Sequence, residues 1–574
     1  MEKKWLMKND VEENVILALK ESLKVDRIVA TLLHQRGINT IESAQEFLRP
    51  DLQNLHDPFL MKNMDRAVDR LSQALETNEK ILLFGDYDVD GTTAVALMHE
   101  VLKKQNANLG FYIPDRYTEG YGVSIAGIDY AHSNGYTLII ALDCGIKANE
   151  KVTYAKNLGI DFIICDHHEP GDEIPNCIVL DPKQTDCDYP YKELSGCGVG
   201  FKFLQGYFRH KKLDQADLFK NLDLLAISIG ADIVPVTGEN RILCYHGLKK
   251  LNDIPRLAFQ ELLSLAGKKF PLNLTDVVFI IAPRINAAGR LRTGKAAVEL
   301  MISKDLNELS RLAKEINADN SERKNIDREI TSEALNQVAA DPHFSSKSTT
   351  VVFNENWHKG VVGIVASRLI ETHFRPTIVL TKSNGMITGS ARSVNNFDLY
   401  KAISKCDDLL EQYGGHKHAA GLSLKPENLE VFKERFEQIV SETISISDKT
   451  PVQSIDLTIE LNEIHRDESP LEIPRMKRLI ETFEPFGPGN MKPVFHTTNL
   501  FTTDSKILKD AHLKIKVVQP NSRLQYEAIG FNLRHKEDEV GSGVPFEMAY
   551  TLETNEFNGK KSIQLNIKDL REML

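Results

Sequence analysis

The stretch Ile81-Leu-Leu-Phe-Gly-Asp-Tyr-Asp-Val-Asp-Gly91 decides how the rest of the chain is read. Ile81 to Phe84 is a short, continuously apolar run, the pattern of a buried strand, and a glycine ends it. Three carboxylates then fall at alternate positions, Asp86, Asp88 and Asp90. Directly after a buried strand they can converge on a hard cation, because oxygen ligands suit Mg2+ and Mn2+. A calcium-binding EF-hand loop begins with the same DxDxDG spelling. It needs an entering helix and a glutamate at position twelve, which here is Leu97. Standing alone, the motif also fits an acidic turn solvated at a strand end.

Working outward, the same pairing of apolar run and chemical group recurs. Asp143 ends the run Leu138 to Leu142, and Asp166-His167-His168 ends Phe162 to Cys165. Asp232 follows the apolar segment Leu222 to Gly230 and precedes Ile-Val-Pro. A further run spans Cys177 to Leu180, and helical stretches separate several of these runs, so the expected architecture is a mostly parallel sheet with crossover helices. Ligands of such sheets gather at the carboxyl ends of the strands, which would put these remote acids and imidazoles in one crevice. Singly, Asp143 also reads as a helix cap and His168 as a satisfied imidazole. Jointly they are what phosphodiester hydrolysis requires, since two divalent cations about 3.5 to 4 Å apart can clamp the attacking and leaving oxygens.

The order DxDxDG, Asp143, Asp166-His167-His168 and Ala231-Asp232-Ile-Val-Pro resembles the DHH phosphoesterase superfamily. That resemblance implies Asp86, Asp88, Asp143, His167 and Asp232 as metal ligands for two Mn2+ or Mg2+ ions, with Asp143 as a bridge. It implies His168 beside the scissile phosphate, as stabiliser or acid. Asp90 is either a ligand or a brace for the turn. Many members carry a histidine where this chain has Phe84, so no ligand is assigned there.

A second set of motifs suits a nucleic-acid strand. Ala282-Pro-Arg-Ile-Asn-Ala-Ala-Gly-Arg-Leu-Arg292 places Arg284, Arg290 and Arg292, with Asn286, among small residues. A backbone can come close there while guanidinium groups take phosphate oxygens in a forked manner. The segments Trp357-His-Lys-Gly-Val-Val-Gly-Ile-Val-Ala-Ser-Arg368, Thr388-Gly-Ser-Ala-Arg-Ser393 and Gly414-Gly-His-Lys-His-Ala-Ala-Gly421 are glycine-rich turns. They offer His358, Arg368, Ser390, Arg392, Gly415 and His416 to phosphates through amides, hydroxyls and cations. Behind a DHH core these motifs resemble the DHH-associated domain, and with PRINAAGR between the two the likeness is to the RecJ-type exonuclease family. It covers about residues 30 to 430, including Ile113-Pro-Asp-Arg-Tyr-Thr-Glu-Gly-Tyr-Gly122, where it implies Arg116 as the receiver of a 5′ phosphate.

Composition bounds this reading. At 574 residues the chain exceeds one hydrophobic core, and with 42% hydrophobic and 26% charged residues it is globular in kind. No apolar run approaches a membrane span, and the charged start lacks a signal core, so a cytoplasmic protein is expected. Seven cysteines without a CxxC pair read as small buried residues of a reducing compartment. The net charge of −11 argues against a general polyanion binder, yet residues 281–420 carry 19 basic against 16 acidic groups, leaving −14 elsewhere. That asymmetry suits a local strand track.

The fold class expected is α/β, in five parts: an N-terminal helical segment (1–75), a parallel-sheet DHH catalytic domain (76–300), a connector helix (301–342), a smaller α/β DHH-associated domain (343–448) and an OB-like β-barrel (449–574). The connector pattern is polar all round from Asn317 to Asn325 except for Ala318, the mark of a helix crossing solvent. In the last part Leu513, Ile515 and Val517 alternate with polar residues, and Asn558-Gly559 signals a hairpin. Lys514, Lys516 and Arg523 either track a backbone or form a solvated face. The resemblance implies 5′-to-3′ hydrolysis of single-stranded DNA to mononucleotides in DNA repair and recombination, in a groove too narrow for duplex. It also implies a single-strand-binding protein and a helicase as partners. The rival readings are an oligonucleotide or cyclic-dinucleotide phosphodiesterase, whose relatives are commonly shorter, and a non-catalytic strand-binding subunit, which would have lost metal ligands.

Overall fold

The apolar runs around Asp86 and Asp143 become the middle of a five-stranded parallel sheet. The computed structural model describes all residues except Met1, Asn9, Asp10, Asn395, 467–471, Asn521, Arg523, Ser542, Asn558 and Leu574. The sheet comprises β1 (Lys80–Gly85), β2 (Asn108–Tyr112), β3 (Leu138–Leu142), β4 (Asp161–Cys165) and β5 (Ile178–Leu180), in the order β2-β1-β3-β4-β5. Every pairing is parallel. Alternate residues of β1 and β3 enter different cores, Ile81, Leu83 and Ile140 on one face, Leu82, Phe84 and Ile139 on the other. Burial on both faces explains why these strands read as continuous apolar runs. The strand order reverses between β1 and β3, and a crevice opens outside their carboxyl ends at such a point.

Helix α1 (Val89–Lys103) leaves β1, and α2 (Gly196–His210) and α3 (Leu222–Asp232) pack in the same core. Helix α3 is buried from Leu222 through Gly230. Asp232 therefore reaches the crevice at the end of a helix, whereas the other acids follow strands. The run Val277 to Ala282, strand-sized in sequence, is a π-helical turn over Val277–Ile281 that leads into α4 (Ala282–Leu291). A short apolar run does not distinguish buried helix from buried strand.

The 35-residue helix α5 (Leu306–Ala340) occupies the connector region. The chain divides inside it into two compact units, Met1–Leu6 with Ala318–Gln453, and Met7–Asn317 with Ser454–Leu574. The polar stretch of α5 departs from the solvent-crossing expectation, because Asp319, Asn320 and Arg323 are buried, as is Asp327. Those polar groups bind one another: Arg323 donates to Asn320, and Asp327 accepts from Arg368 at 2.7 Å.

The first unit carries β6 (Thr350–Phe353), β7 (Thr377–Ser383), β8 (Met386–Arg392), β9 (Gln412–His416) and β10 (Ala419–Leu424), ordered β9-β10-β8-β7-β6, with helix α6 (Val362–His373). In the second unit the C-terminal sheet comprises β11 (Leu457–Thr458), β12 (Phe495–Leu508), β13 (His512–Val518), β14 (Tyr526–Gly530), β15 (Phe546–Phe557) and β16 (Lys560–Glu572). Its order is β11-β12-β13-β14-β16-β15, and pairing of β12 with β15 closes it into a barrel. The N-terminal helices Glu13–Leu23, Arg27–His34 and Ile41–Leu48 share one apolar core with this barrel. Strands β15 and β16 pair Phe557 with Lys560, while Asn558 of the expected turn lies outside the described residues. All seven cysteines are free, and six are buried. Among the described residues no helix is long and apolar enough to cross a membrane.

Candidate metal centre

Two turns of backbone help bring the acids together. Asp88 caps α1 by accepting from the Gly91 amide at 3.1 Å, so the chain passes from β1 into the helix within a few residues. Gly91 is obligatory there, since a Cβ would lie 2.5 Å from the Asp86 backbone nitrogen and oxygen. Asp143 leaves β3 with φ +61°, a left-handed conformation that Asp tolerates better than most residues, and its amide donates to the Cys165 carbonyl at 2.8 Å.

The result is a convergence of remote residues. His167 Nε2 lies 3.2 Å from Asp143 Oδ1, 3.6 Å from Asp232 Oδ2 and 3.7 Å from Asp90 Oδ2. Two overlapping sets have ligand-compatible geometry, Asp143 with His167 and His168, and Asp90 with His167 and Asp232. Asp86 and Asp88 belong to the same electrostatic cluster. Burial, then the charges of Asp90, Asp88, Asp232 and Asp86, push the Asp143 carboxyl well above its usual range. Burial and Asp88 do the same to Asp86, while burial, Asp90 and Asp88 raise Asp232. Burial lowers His167 and so favours the neutral imidazole a metal needs.

These residues fit divalent cations on a direct observation. Asp86 Oδ2, Asp143 Oδ1 and His167 Nε2 are buried with no hydrogen-bond partner among the described residues. Leaving such an atom unpaired costs about 1–3 kcal/mol, and more when it is charged. Carboxylate and imidazole lone pairs that the protein itself leaves unsatisfied are the donor set of Mn2+ or Mg2+.

Asp90 and Asp166 have other work. Asp90 accepts from the amides of Gly196 and Cys197 at the start of α2, at 2.7 and 2.8 Å, and from Ser228 on α3 at 2.7 Å. It thus ties together the helices behind the centre while one oxygen still faces His167. Asp166 accepts from the amides of His167 and Ile146 and from His168 Nδ1 at 2.7 Å. Burial opposes charge on both partners, but their mutual hydrogen bond and attraction outweigh it, holding Asp166 at about 2 and His168 at about 9. His168 is the open member of the cluster, with its side chain 43% exposed. The Tyr121 hydroxyl sits 3.1 Å from its Nε2 and donates to the Asp143 carbonyl at 3.1 Å. Sequence reasoning assigned no role to Tyr121, Asp166 or Ser228; only the DRYTEGYG motif hinted at the first. Phe84 stacks on Tyr112 inside the core on the other face of β1, so it offers no ligand.

Helix α4 docks on the acidic loop. A Cβ at Gly289 would lie 2.5 Å from the Tyr87 carbonyl oxygen, so glycine permits that approach. Arg116 lies over the Tyr87 ring at 5.0 Å, and Tyr117 donates to the Arg290 carbonyl. Arg116, Asn286 and Arg290 are half-buried and Arg292 is exposed. Arg284 is buried, donating to Asn317 at 3.0 Å and the Ile280 carbonyl at 2.6 Å, which braces α4 internally.

In the first unit, strand register aligns His416, Ala419 and Arg392 across β9, β10 and β8, with Ser390 opposite Gly421 and Gly414. Directly opposed residues share a face, so the small residues leave Arg392, Ser390 and His416 prominent on it. Arg392 donates to Ser390 at 2.8 Å, and Gly363 of α6 sits against both side chains. His358 is half-buried just before α6, accepting from the Gly360 amide. Arg368 lies further along α6 and is held by Asp327. Gly415 and His416 are exposed on the edge strand.

Residues 80–229 match the DHH family N-terminal domain, 346–442 the DHHA1 domain and 455–569 the RecJ OB domain. The chain is 38% identical to the single-stranded-DNA-specific exonuclease RecJ of Bacillus subtilis, over 97% of this chain and 70% of that one. It is 30% identical to RecJ of Escherichia coli, over 98% of both. The crystal structure of RecJ in complex with Mn2+ from Thermus thermophilus superposes with a TM-score of 0.84 at 26% identity, covering 100% of this chain and 80% of that one. A second structure of that protein holds Mg2+. On these similarities, the chain belongs to the RecJ family.

Proposed function

We propose that this protein hydrolyses the phosphodiester bonds of single-stranded DNA from the 5′ end, releasing mononucleotides, with two Mn2+ or Mg2+ ions held by Asp86, Asp88, Asp143, His167 and Asp232. The observation that carries this reading is the set of three unpartnered buried ligand atoms from three separate chain segments. Cations bound there supply Lewis acidity toward the phosphate and lower the pKa of a water. Asp143, whose Oδ1 lies 3.2 Å from His167 Nε2, would be the carboxylate that the two ions share. Asp166 fixes the His168 ring through Nδ1, and the Nε2 edge, where the Tyr121 hydroxyl stands 3.1 Å away, steadies the phosphate or protonates the leaving 3′ oxygen. Arg116, set over Tyr87 beside the acidic loop, takes the 5′ phosphate. Asn286, Arg290 and Arg292 follow the strand backbone, with Arg284 holding their helix. Ser390, Arg392, His358, Arg368, Gly415 and His416 supply further phosphate contacts.

This reading divides the chain at 75, 300, 342 and 448 and places the protein with its DNA in the cytoplasm. A single-strand-binding protein and a helicase, which hold and expose single strands, are its protein partners, in DNA repair and recombination.

The test is an end-labelled digestion of single-stranded and duplex DNA with Mn2+, Mg2+ or EDTA. The expected result is mononucleotides from single strands only, lost first from the 5′ label, and none in EDTA. Loss first from the 3′ label would overturn the polarity, and equal attack on RNA would shift the reading to an oligonucleotide phosphodiesterase.

A further inference from the structure

Ile233 follows Asp232 at the end of α3 with φ +60° and ψ 25°. The left-handed region costs an L-residue roughly 1–2 kcal/mol, and crowding at a branched Cβ makes it a true outlier there. Among the fourteen described non-glycine residues with positive φ, Ile233 is the one β-branched side chain; most of the others are Asn, Asp or Lys. A helix that must stop here could do so with Gly or Asn at little cost. The isoleucine side chain gains little from packing in return, because the residue is 63% exposed. Strain and apolar exposure thus coincide one peptide bond from a carboxylate that reaches His167 at 3.6 Å.

The strain is held from the other side. Val236 is fully buried, and its amide donates to the Pro488 carbonyl at 2.7 Å. The Pro235 carbonyl accepts from Tyr191 and Asn240. With α3 fixed before Asp232 and this anchor fixed after Val234, the backbone between them cannot relax, and Ile233 stays where its side chain stands in solvent. Persistent strain of this kind marks sites where a function uses the conformation.

We infer that Ile233 is a strand-contacting residue, whose apolar side chain packs against the sugar or base of the nucleotide at the metal centre. The inference rests on the reading of Asp232 as a ligand of a strand-cleaving site. Made to a base face, this apolar contact selects for an unstacked, single-stranded nucleotide, since the base faces of a duplex are covered by their stacked neighbours. No covalent step involves Ile233.

The test uses the full chain with Ile233→Gly, Ile233→Asn and Ile233→Val. Gly and Asn relieve the left-handed strain, so both variants should resist urea better than the parent. Both should nevertheless bind a single-stranded oligonucleotide about tenfold more weakly, the scale of burying one aliphatic side chain. Mn2+ affinity measured by calorimetry should be unchanged, and Ile233→Val should keep most of the strand affinity. Parental strand binding by Ile233→Gly would overturn the inference. So would a fall in Mn2+ affinity, which would mean that the strain serves Asp232 instead. If the parent itself neither binds Mn2+ nor degrades strands, the reading of the centre has failed, an outcome distinct from either of these.

Discussion

The candidate metal centre and the basic face of the first unit present their charged groups by opposite means. Asp86, Asp143 and Asp166 are at most 2% exposed and arrive on the ends of buried strands. Gly415 and His416 are exposed on an edge strand, and Arg392 rises among glycines and alanines. Chemistry at phosphorus needs atoms fixed to fractions of an ångström, which only a packed core provides. Holding a flexible polyanion needs several cations of which none is indispensable. Loss of one group should therefore be steep in the first region and shallow in the second.

Asp143→Asn tests the steep side and should have the largest effect. Turnover should fall about 10³-fold, the scale of removing one preorganised electrostatic group from an active site. The metal-free variant should unfold no more readily than the parent, because the charges around Asp143 already disfavour its ionised form. Mn2+ at about 100 times its Kd should stabilise the parent by about 2.7 kcal/mol and the variant by much less. Thermal unfolding with and without Mn2+ measures both, and undiminished turnover would remove Asp143 from the centre.

Asp166→Asn should come next, lowering kcat about 10–100-fold, as is usual when a group orienting an active residue is lost, while strand affinity stays the same. Its stability signature has a definite sign. In the metal-free parent His168 stands at about 9 against 6.5, and Asp166 at about 2 against 3.8. The pair's contribution to folding is complete between pH 3.8 and 6.5. It fades as pH rises through about 9, where His168 loses its proton, and as pH falls through about 2, where Asp166 gains one. Urea midpoints of parent and variant should differ most in the middle window and converge above it. A constant difference across pH would break the assignment of this pair.

Much of the steep region was legible in sequence, and the reason is its burial. A strand covered on both faces must be apolar throughout, so the acid that ends it stands out, as at Asp143 and Asp166. Asp232 kept that signature although its run is a helix, because a helix buried on all sides shows no periodicity either. Edge strand β2 escaped notice: Asn-Leu-Gly-Phe-Tyr is half-exposed and too mixed to read as a buried run. The roles of Asp90 and Tyr121 were hidden for another reason. Their partners lie on Gly196, Cys197, Ser228 and His168, contacts that exist only once the chain is folded. The buried polar stretch of α5 misled because polarity reports only that a group needs partners, and here the fold supplies them, Asn320 to Arg323 along the helix and Arg284 of α4 to Asn317.

Arg392→Ala probes the shallow side. Single-strand affinity should weaken modestly and its log–log salt slope should lessen by about 0.7, the value for one phosphate contact to a single strand. At saturating strand kcat should not change, since Arg392 lies on a different sheet from the carboxylates. A large loss of kcat would show that this face takes part in the chemistry and would erase the contrast between the regions.

The smallest effect is expected from Lys514→Ala and Lys516→Ala on the C-terminal barrel. Lys514 Nζ is 3.0 Å from Glu527, and Lys516 Nζ is 3.9 Å from Asp504. Arg523, the third cation of that set, lies outside the described residues. A partly exposed ion pair contributes about 0–1 kcal/mol to stability, and its cation is already neutralised by its neighbour. A strand would have to displace those carboxylates before gaining a contact, so the salt slope of binding should hold to well within about 0.7 of the parent value for each variant. A slope that fell by that amount would mean that the carboxylates yield to phosphate, and the barrel would then join the distributed, strand-holding side of the comparison.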